Sequence, residues 1–384
     1  MHRVLLLGAG KIGRMIAKLL TETHDYDVLV GDLDEGVLAQ LRKQSGATTQ
    51  VLDAGNAAEV TDALRDRDTM ISALNFRSNP LAATLAVAAG ANYFDLTEDR
   101  DTARRVRQIA SECRPGRVVM PQCGLAPGFI SIVASHLTKA FDSLETVHMR
   151  VGALPQFPSN ALKYNLTWST DGLINEYCNV CEAIHEGRLI EVLPLEGLES
   201  FSLNGVRYEG FNTSGGLGTL CETLEGRVQE LNYKTIRYAG HRDLVAFLVN
   251  DLKLSRRRDV LKDILEHAIP VTFQDLVVIF CTATGSRKGQ LVQLSDARTI
   301  YSRLIDGEAW SAIQLTTAAG VCAALDLMLA GKCPHDGFVR QEEMDYDDFL
   351  DNRFGRHYRD EPAQLNSPVI GERGGRGGSL ICGQ

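Results

Sequence analysis

The chain has 384 residues, 44% of them hydrophobic and 23% charged, which is typical of a globular protein with more than one domain. Its 49 acidic and 40 basic residues give a formal net charge of −9, which argues against a general nucleic-acid-binding surface. Nine cysteines without disulfide-scaffold spacing, no leader pattern and no long uninterrupted apolar stretch predict a cytoplasmic protein that acts away from membranes.

Short apolar runs alternate with segments of helical periodicity over the first 120 residues. The runs predict strands at residues 4–7, 28–30, 69–73, 92–95 and 118–120, and the intervening patterns predict helices at residues 57–64, 80–89 and 101–110. Such alternation predicts an α/β fold with a doubly wound parallel sheet, the Rossmann arrangement. Ligands of such a sheet bind at the carboxyl ends of its strands.

The first strand runs into the loop Gly8-Ala9-Gly10-Lys11-Ile12-Gly13. Gly8 allows a tight turn, Gly10 allows the backbone to approach a pyrophosphate, and Gly13 allows the next helix to pack on the sheet. Asp32 ends the second apolar run, where its carboxylate can accept hydrogen bonds from both ribose hydroxyls. Since that carboxylate would repel a 2′-phosphate, the sequence predicts NAD, with NADP less favoured. A glycine-rich turn in another α/β protein is the alternative.

The alternation stops at a turn with two glycines and a proline, residues 122–128. Beyond it, residues 146–151, 165–168, 233–238 and 276–282 are predicted strands of a second, α+β domain with a mixed, mostly antiparallel sheet, which offers a surface for a homodimer. A helix rich in small residues, 316–330, is predicted to pack on the first domain. The predicted units are a Rossmann domain (1–123), a substrate and dimerisation domain (124–315), the returning helix (316–332), and a C-terminal extension with a flexible Arg/Gly-rich tail (333–384).

Two segments of the second domain, residues 211–216 and 233–241, gather glycines, hydroxyls, a lysine, an arginine and a histidine. A hydroxyl-rich turn can direct N–H and O–H groups at an anion, and an arginine can bind a carboxylate bidentately. Strand alternation places residues 234, 236 and 238 on one face and residues 233, 235 and 237 on the other, and the sequence leaves open which face meets a ligand.

At these segments the chain resembles the saccharopine dehydrogenase family, and within it the lysine 6-dehydrogenase branch. The resemblance covers roughly residues 1–330 and rests on residues 8–13, 51–55, 124–128, 212–216 and 233–241. It implies a Rossmann domain, a substrate domain with a mixed sheet, and a nicotinamide-dependent oxidation of a carbon–nitrogen bond at the ε-carbon of lysine or of saccharopine. Both reactions give the same semialdehyde, with ammonia leaving from lysine and glutamate from saccharopine.

One segment favours the second substrate. Residues 160–169 are similar to the Asn-x-Leu-x-Tyr and Trp-Ser pattern of the glutamate-forming saccharopine reductases. Those enzymes carry an arginine in the loop where this chain has Asn212-Thr213-Ser214, so a partner for a glutamyl carboxylate is missing. Lysine is therefore the first expectation, saccharopine the alternative, and a regulatory nucleotide-binding protein without turnover the more distant one.

The resemblance also implies site residues. Arg237 is expected to bind the substrate α-carboxylate, with Thr213, Ser214, Lys234 and Tyr164 as further substrate contacts. The expected cofactor contacts are Gly8, Gly10, Lys11, Ile12, Gly13, Asp32, Asp53, Ala54, Ser72, Ala73, Leu74, Gly124, Leu125 and Ala126.

Oxidation of an amine requires one acid/base near neutral pKa, because the nitrogen must lose a proton and water must then add to the imine. Asp95 follows a Rossmann strand at the ligand edge, and His241 has the suitable ordinary pKa, so these two are the catalytic candidates. Glu98 and Asp99 are expected to be solvated loop carboxylates. Cys178, Cys181 and His185 lack a fourth ligand, so no metal is expected.

Overall fold

The chain folds around two sheets, and the computed structural model describes residues 1–359 of it. The predicted Arg/Gly-rich tail lies outside the described residues. The strands are β1 (His2–Leu7), β2 (Tyr26–Asp32), β3 (Thr48–Val51), β4 (Thr69–Ser72), β5 (Asn92–Asp95), β6 (Val118–Met120), β7 (Ser143–Pro155), β8 (Cys181–His185), β9 (Arg188–Val192), β10 (Glu199–Leu203), β11 (Val206–Asn212), β12 (Glu230–Tyr238), β13 (Asp275–Arg287), β14 (Gln290–Tyr301), β15 (Arg303–Ile305), β16 (Glu308–Trp310) and β17 (Gly337–Phe338).

The helices cover both faces of the first sheet and one face of the second. They are α1 (Lys11–Glu22), α2 (Glu35–Gln44), α3 (Ala57–Leu64), α4 (Asn79–Ala89), α5 (Arg100–Ala110), α6 (Phe129–Thr138), α7 (Thr170–Cys178), α8 (Leu220–Leu224), α9 (His241–Ala246), α10 (Arg258–Ala268), α11 (Ala312–Leu329) and α12 (Tyr346–Asp351).

The first sheet has seven parallel strands in the order β17-β6-β5-β4-β1-β2-β3. Its central strands are continuous apolar runs because helices cover both of their faces. The predicted Rossmann sheet is thereby confirmed. The sequence did not predict β17, which the C-terminal extension contributes as the edge strand beside β6.

The second sheet is mixed, as predicted, in the order β10-β11-β12-β7-β13-β14, with β8 and β9 attached to β12. Each of its pairings is antiparallel except that of β12 with β7. The strand predicted at residues 165–168 was wrong: this segment makes only an isolated bridge, between Leu166 and Val271, and ends where Ser169 caps α7. Leu166 and Trp168 of this segment pack in one cluster with residues of α7 and α10 instead.

Helix α11 holds the two sheets together. It begins at Ala312, earlier than predicted, because Ser311 and Gln314 form a capping box and the Asp275 carboxylate accepts the backbone N–H groups of Ala312 and Ile313. Gln314 Nε2 also donates to the Lys11 carbonyl, 3.0 Å away, which ties α11 to the glycine loop. In the described part of the chain α11 alone is long and apolar enough to cross a bilayer, and 83% of it is buried inside the protein, like the core helix of a globular fold.

Gly320 of α11 is expected to be intolerant of a side chain. A Cβ there would lie 2.6 Å from the Cys123 carbonyl oxygen and 2.9 Å from that of Gly124, both backbone atoms of the turn between the two sheets. We predict that Gly320→Ala lowers the free energy of unfolding by about 1–3 kcal/mol through overpacking, measured by denaturant titration. The control is Gly46→Ala, where a Cβ meets nothing within 4 Å, and an equal loss there would contradict the packing argument.

Candidate active site

The glycine loop at the end of β1 has the shape of a pyrophosphate cradle. Gly8 has φ +97°, and a Cβ on Gly13 would lie 1.9 Å from the Gly8 carbonyl oxygen, so both positions need glycine. A Cβ on Gly10 would meet nothing within 4 Å, and α1 starts there without a side-chain cap. The space beside Gly10 and the uncapped N–H groups of the first turn therefore fit a cofactor pyrophosphate.

The end of β2 is acidic. Asp32 accepts hydrogen bonds from the backbone N–H groups of Ala9, at 2.7 Å, and Asp34, at 2.9 Å, so its carboxylate is fixed beside the glycine loop. Residues 32–41 contain Asp32, Asp34 and Glu35 and no lysine or arginine. This turn therefore offers a carboxylate for ribose hydroxyls and no cation for a 2′-phosphate.

Behind the loop, a cavity opens between the carboxyl ends of the first sheet and the inner face of the second. Of the predicted cofactor residues, Ile12, Ala73, Leu74, Gly124, Leu125 and Ala126 line it. The other lining residues are Asn75, Phe76, Leu96, Glu98, Pro127, Val151, Ala153, Trp168, Ser169, Glu176, Tyr233, Thr235, Arg237, Ile313 and Thr317. Its wall is thus mainly apolar, with a few charged groups.

Three predicted cofactor residues lie elsewhere. The Ser72 hydroxyl is buried and donates to Asn79 Oδ1 at 2.7 Å, so its side chain serves the start of α4. Asp53 is exposed and accepts from the backbone N–H of Gly55 at 2.8 Å, which stabilises the turn that includes Ala54. The side chains of Ser72 and Asp53 therefore have structural roles that require no bound cofactor.

Arg237 is the cation of the cavity. It is 2% exposed, and its guanidinium donates from Nε to the Tyr177 hydroxyl at 3.0 Å and from Nη1 to the Ile236 carbonyl at 2.9 Å. Nη2 lies 3.7 Å from Glu176 Oε2, and the ring of Tyr164 lies 5.1 Å from the guanidinium carbon. Among the lining residues in the described part of the chain, Arg237 is the only lysine, arginine or histidine. The cavity therefore offers a cationic partner to one anionic group of a ligand.

The remaining predicted substrate residues lie behind the cavity wall or on the far side of the sheet. Lys234 alternates with Arg237 along β12 and therefore points to the opposite face, where its Nζ lies 2.7 Å from Glu199 Oε2; this placement corrects its assignment to the substrate. Tyr164 is buried beneath Arg237 and accepts from Trp168 Nε1 at 3.2 Å. It therefore supports the site from behind.

Thr213 and Ser214 are buried outside the cavity, and Ser214 holds α7. The Ser214 hydroxyl donates to the Asn175 carbonyl at 3.0 Å, and the Ser214 N–H donates to the Glu176 carbonyl at 3.1 Å. A Cβ on the adjoining Gly215 would lie 2.3 Å from the Glu98 carbonyl oxygen. The turn predicted to bind an anion instead positions the backbones of Glu98 and Glu176.

Neither predicted acid/base reaches the cavity. Asp95 is fully buried and accepts from the N–H groups of Thr97 and Gln122 and from the Tyr93 hydroxyl, so it braces the loops after β5 and β6, although burial raises its pKa to about 6. His241 is 2% exposed, and burial and the nearby Arg237 charge lower its pKa to about 3. A histidine neutral over the whole physiological range, behind the wall, is not suited to exchange protons with a substrate.

The carboxyl groups that line the cavity are those of two glutamates. Burial, helped by the neighbouring Glu176, Asp99 and Asp95, raises the pKa of Glu98 to about 8. Burial likewise raises the pKa of Glu176 to about 7, although the Arg237 charge opposes it, and Glu176 Oε2 has no hydrogen-bond partner. Both carboxyls can therefore gain or lose a proton near neutral pH.

The sequence predicts Glu98 to be a solvated loop carboxylate and carries no signal for Glu176. Glu98 also follows β5, so the expectation that a residue after a Rossmann strand lies at the ligand edge applies to it as well as to Asp95. The packing of the loops decides which of the two carboxylates faces the cavity. Glu176 lies in a helix without a recognisable motif, and only the tertiary structure identifies it. No group of histidine, cysteine and carboxylate side chains suited to a metal ion occurs among residues 1–359.

Two family models match the chain. The saccharopine dehydrogenase NADP binding domain matches residues 4–118, and the saccharopine dehydrogenase C-terminal domain matches residues 124–355. Among curated proteins, the mitochondrial alpha-aminoadipic semialdehyde synthases of Rattus norvegicus and Mus musculus are 22% and 21% identical over 197 residues. That stretch is 50% of this chain and 21% of each relative, so the chain aligns with about a fifth of their length.

Solved structures share the fold. Saccharopine dehydrogenase (L-Glu forming) from Saccharomyces cerevisiae has a TM-score of 0.73 at 18% identity, covering 91% of this chain and 96% of that one. The homospermidine synthase of Legionella pneumophila, in complex with NAD, has a TM-score of 0.65 at 15% identity, covering 93% and 89%. The family resemblance predicted from the sequence is confirmed, and the cofactor is a nicotinamide dinucleotide.

The raised pKa of Glu98 predicts a characteristic dependence of stability on pH. Because the folded protein binds this proton more tightly than the unfolded chain, the contribution of Glu98 falls as pH rises through its folded pKa of about 8. Glu98→Gln should therefore be more stable than the wild type at pH 8.5, by about 2 kcal/mol, and nearly equal to it at pH 5. Thermal denaturation without ligand at both pH values measures this.

The matched control is the exposed Glu112→Gln, which should match the wild type at both pH values. A Glu98→Gln protein that is no more stable than the wild type at pH 8.5 would contradict the burial of this charge.

Proposed function

Since the chain belongs to the saccharopine dehydrogenase family of nicotinamide-dependent oxidoreductases, we propose that it oxidises the ε carbon–nitrogen bond of L-lysine with NAD, giving the semialdehyde and ammonia. The observation that supports lysine as the substrate is the set of charged groups in the cavity, which are one arginine and two carboxyl groups in an otherwise uncharged wall. Lysine presents the complementary set, one carboxylate and two amines. Such a reaction belongs to lysine metabolism.

The fit follows from electrostatics in a poorly solvated cavity. Arg237 is buried and has Nη2 directed toward the Glu176 carboxyl, so a substrate carboxylate can share the guanidinium. Glu98 and Glu176 can each bind an amine, whose positive charge stabilises their ionised forms. Saccharopine would bring three carboxylates to the same wall, and two of them would lack a cation.

The apolar lining suits the rest of the molecule. Between the charged groups, the wall is formed by aliphatic and aromatic side chains, including Leu74, Leu96, Leu125, Ile313 and Trp168. These can cover the four methylene groups of lysine and exclude water from the reacting carbon.

The chemistry requires a neutral amine, because its lone pair must assist the departure of hydride from the ε-carbon. A carboxyl with a pKa of about 7 or 8, such as Glu176 or Glu98, can take the ammonium proton and later return a proton to the leaving ammonia. NAD, when bound, accepts the hydride. The departure of the hydride is the two-electron oxidation; water then adds to the resulting imine carbon and ammonia leaves, which gives the semialdehyde.

NAD is proposed over NADP because of the acidic end of β2. The Asp32 carboxylate is held by two backbone N–H groups, and the following turn is acidic without a lysine or arginine. A 2′-phosphate would lie beside this negative charge with no cation from the turn to bind it.

Saccharopine oxidation is the second candidate. It is favoured by Trp168 and Ser169, which belong to the pattern similar to glutamate-forming enzymes and which both line the cavity. The name of the yeast structural relative, saccharopine dehydrogenase (L-Glu forming), also agrees with this candidate.

The decisive experiment supplies purified protein with L-lysine or with saccharopine, each with NAD and with NADP. We expect reduced cofactor from lysine with NAD, an equal amount of ammonia and no glutamate, with kcat/KM at least about tenfold lower with NADP. Glutamate from saccharopine at higher kcat/KM would establish the alternative. Cofactor binding without reduction by either substrate would contradict both.

Arg237→Ala should separate carboxylate binding from chemistry. We predict a rise in KM for lysine of about 100-fold, with the KM for NAD unchanged, because a desolvated charge pair is lost. Cadaverine, which is lysine without its carboxylate, should be much less affected. The matched control is Lys234→Ala on the opposite face of the same strand, which should keep the wild-type KM. Equal losses for lysine and cadaverine would remove Arg237 from carboxylate binding.

A further inference from the structure

Behind the cavity wall, Arg237, Tyr177 and His241 form a chain of hydrogen bonds. Arg237 Nε lies 3.0 Å from the Tyr177 hydroxyl, which lies 2.9 Å from His241 Nε2, and His241 Nδ1 lies 2.7 Å from the Leu162 carbonyl oxygen. The three side chains are buried, with 2–3% of each exposed. These hydrogen bonds therefore connect β12, α7, α9 and the segment before α7, and they are shielded from solvent.

The donor and the acceptor of each of these three hydrogen bonds can be assigned. The Leu162 carbonyl can only accept, so His241 Nδ1 carries a hydrogen and donates. The imidazole is neutral, so Nε2 has a free lone pair and accepts from the Tyr177 hydroxyl. The Tyr177 oxygen thereby presents its lone pairs to Arg237, whose Nε–H donates to it.

The surroundings of His241 hold it in this state. Its ring faces Phe211, with 12° between the ring planes, and the rings of Tyr164 and Tyr177 pack on it. The charged group that faces it is the Arg237 guanidinium, which disfavours a second positive charge. From β11, the Glu209 carboxylate accepts the backbone N–H groups of Gly240 and Arg242 and fixes the backbone on either side of His241.

We propose that His241 is a neutral positioning residue whose one acceptor and one donor orient Tyr177, and through it Arg237, so that the guanidinium faces the substrate carboxylate. This role replaces the acid/base role that its residue type suggests. Arg237 donates from Nε to Tyr177 and from Nη1 to Ile236. Its Nη2 is directed toward Glu176 and is the group that can bind a ligand. The assignment of the ligand as lysine rests on the proposed function, whereas the bond directions do not.

The test compares two replacements of His241. Glutamine keeps one acceptor and one donor in a planar group but cannot titrate, whereas leucine has neither. We expect His241→Gln to keep kcat, its pH profile and the KM for lysine within about threefold of the wild type. His241→Leu should raise the KM for lysine about 10- to 100-fold, as for loss of a hydrogen bond to a charged group, with the KM for NAD unchanged. An acid/base histidine would instead lose kcat to a similar extent in both variants.

A second measurement does not depend on the substrate. Nitrogen NMR of histidine-labelled full-length protein should show His241 with Nδ1 protonated and Nε2 unprotonated from pH 5 to pH 8.5. Tyr177→Phe should shift the Nε2 resonance of His241, because the substitution removes the hydroxyl that donates to Nε2. This variant also tests the hydrogen bond if His241→Leu does not fold.

A His241 signal that titrates within this pH range, or a glutamine variant that loses as much kcat as the leucine variant, would overturn the proposal. If lysine is not turned over at all, the proposed function fails while the NMR result still decides the state of His241.

Discussion

The close packing of α11 on the turn between the two sheets is the contact on which the rest of the molecule depends. Gly320 brings the helix against the carbonyl groups of Cys123 and Gly124, and Gln314 ties its first turn to the glycine loop through Lys11. With α11 fixed to both units, the carboxyl ends of the Rossmann strands face the inner face of the second sheet. The cavity is the space left between them, so its shape follows from backbone contacts that lie outside it.

The cavity collects charges that are poorly solvated. Glu98 and Glu176 are destabilising to the folded protein when ionised, because little water or hydrogen bonding compensates their charge, and Arg237 opposes this for Glu176. The buried chain of Tyr177 and His241 in turn holds Arg237. The protein therefore places these carboxyl groups where solvent stabilises their charge poorly, at a cost in stability that the large core offsets, and this brings their pKa values close to neutral pH.

The sequence was sufficient where a single physical requirement acted on consecutive residues. Strands buried on both faces appear as apolar runs, and the loop around Gly8 and Gly13 admits only glycine, so the first sheet and its cofactor site were predictable. Strands β9 and β10 were missed because their partly exposed residues carry little apolar signal. Strand alternation correctly separated Lys234 from Arg237 but could not indicate the inner face. The choice of Glu98 over Asp95 depended on how loops from distant segments pack, which no local pattern records.

The edge strand β17 affects the order in which the molecule can be completed. The first sheet draws six strands from the first 120 residues but its seventh from residues 337–338, after the whole second sheet has been made. During synthesis on the ribosome, the outer side of β6 therefore stays unpaired while more than 200 further residues emerge. An open strand edge is a template for pairing with another chain. The nascent protein thus has a long interval in which its Rossmann sheet is formed but unprotected, and a chain cut short before β17 would keep that exposed edge permanently.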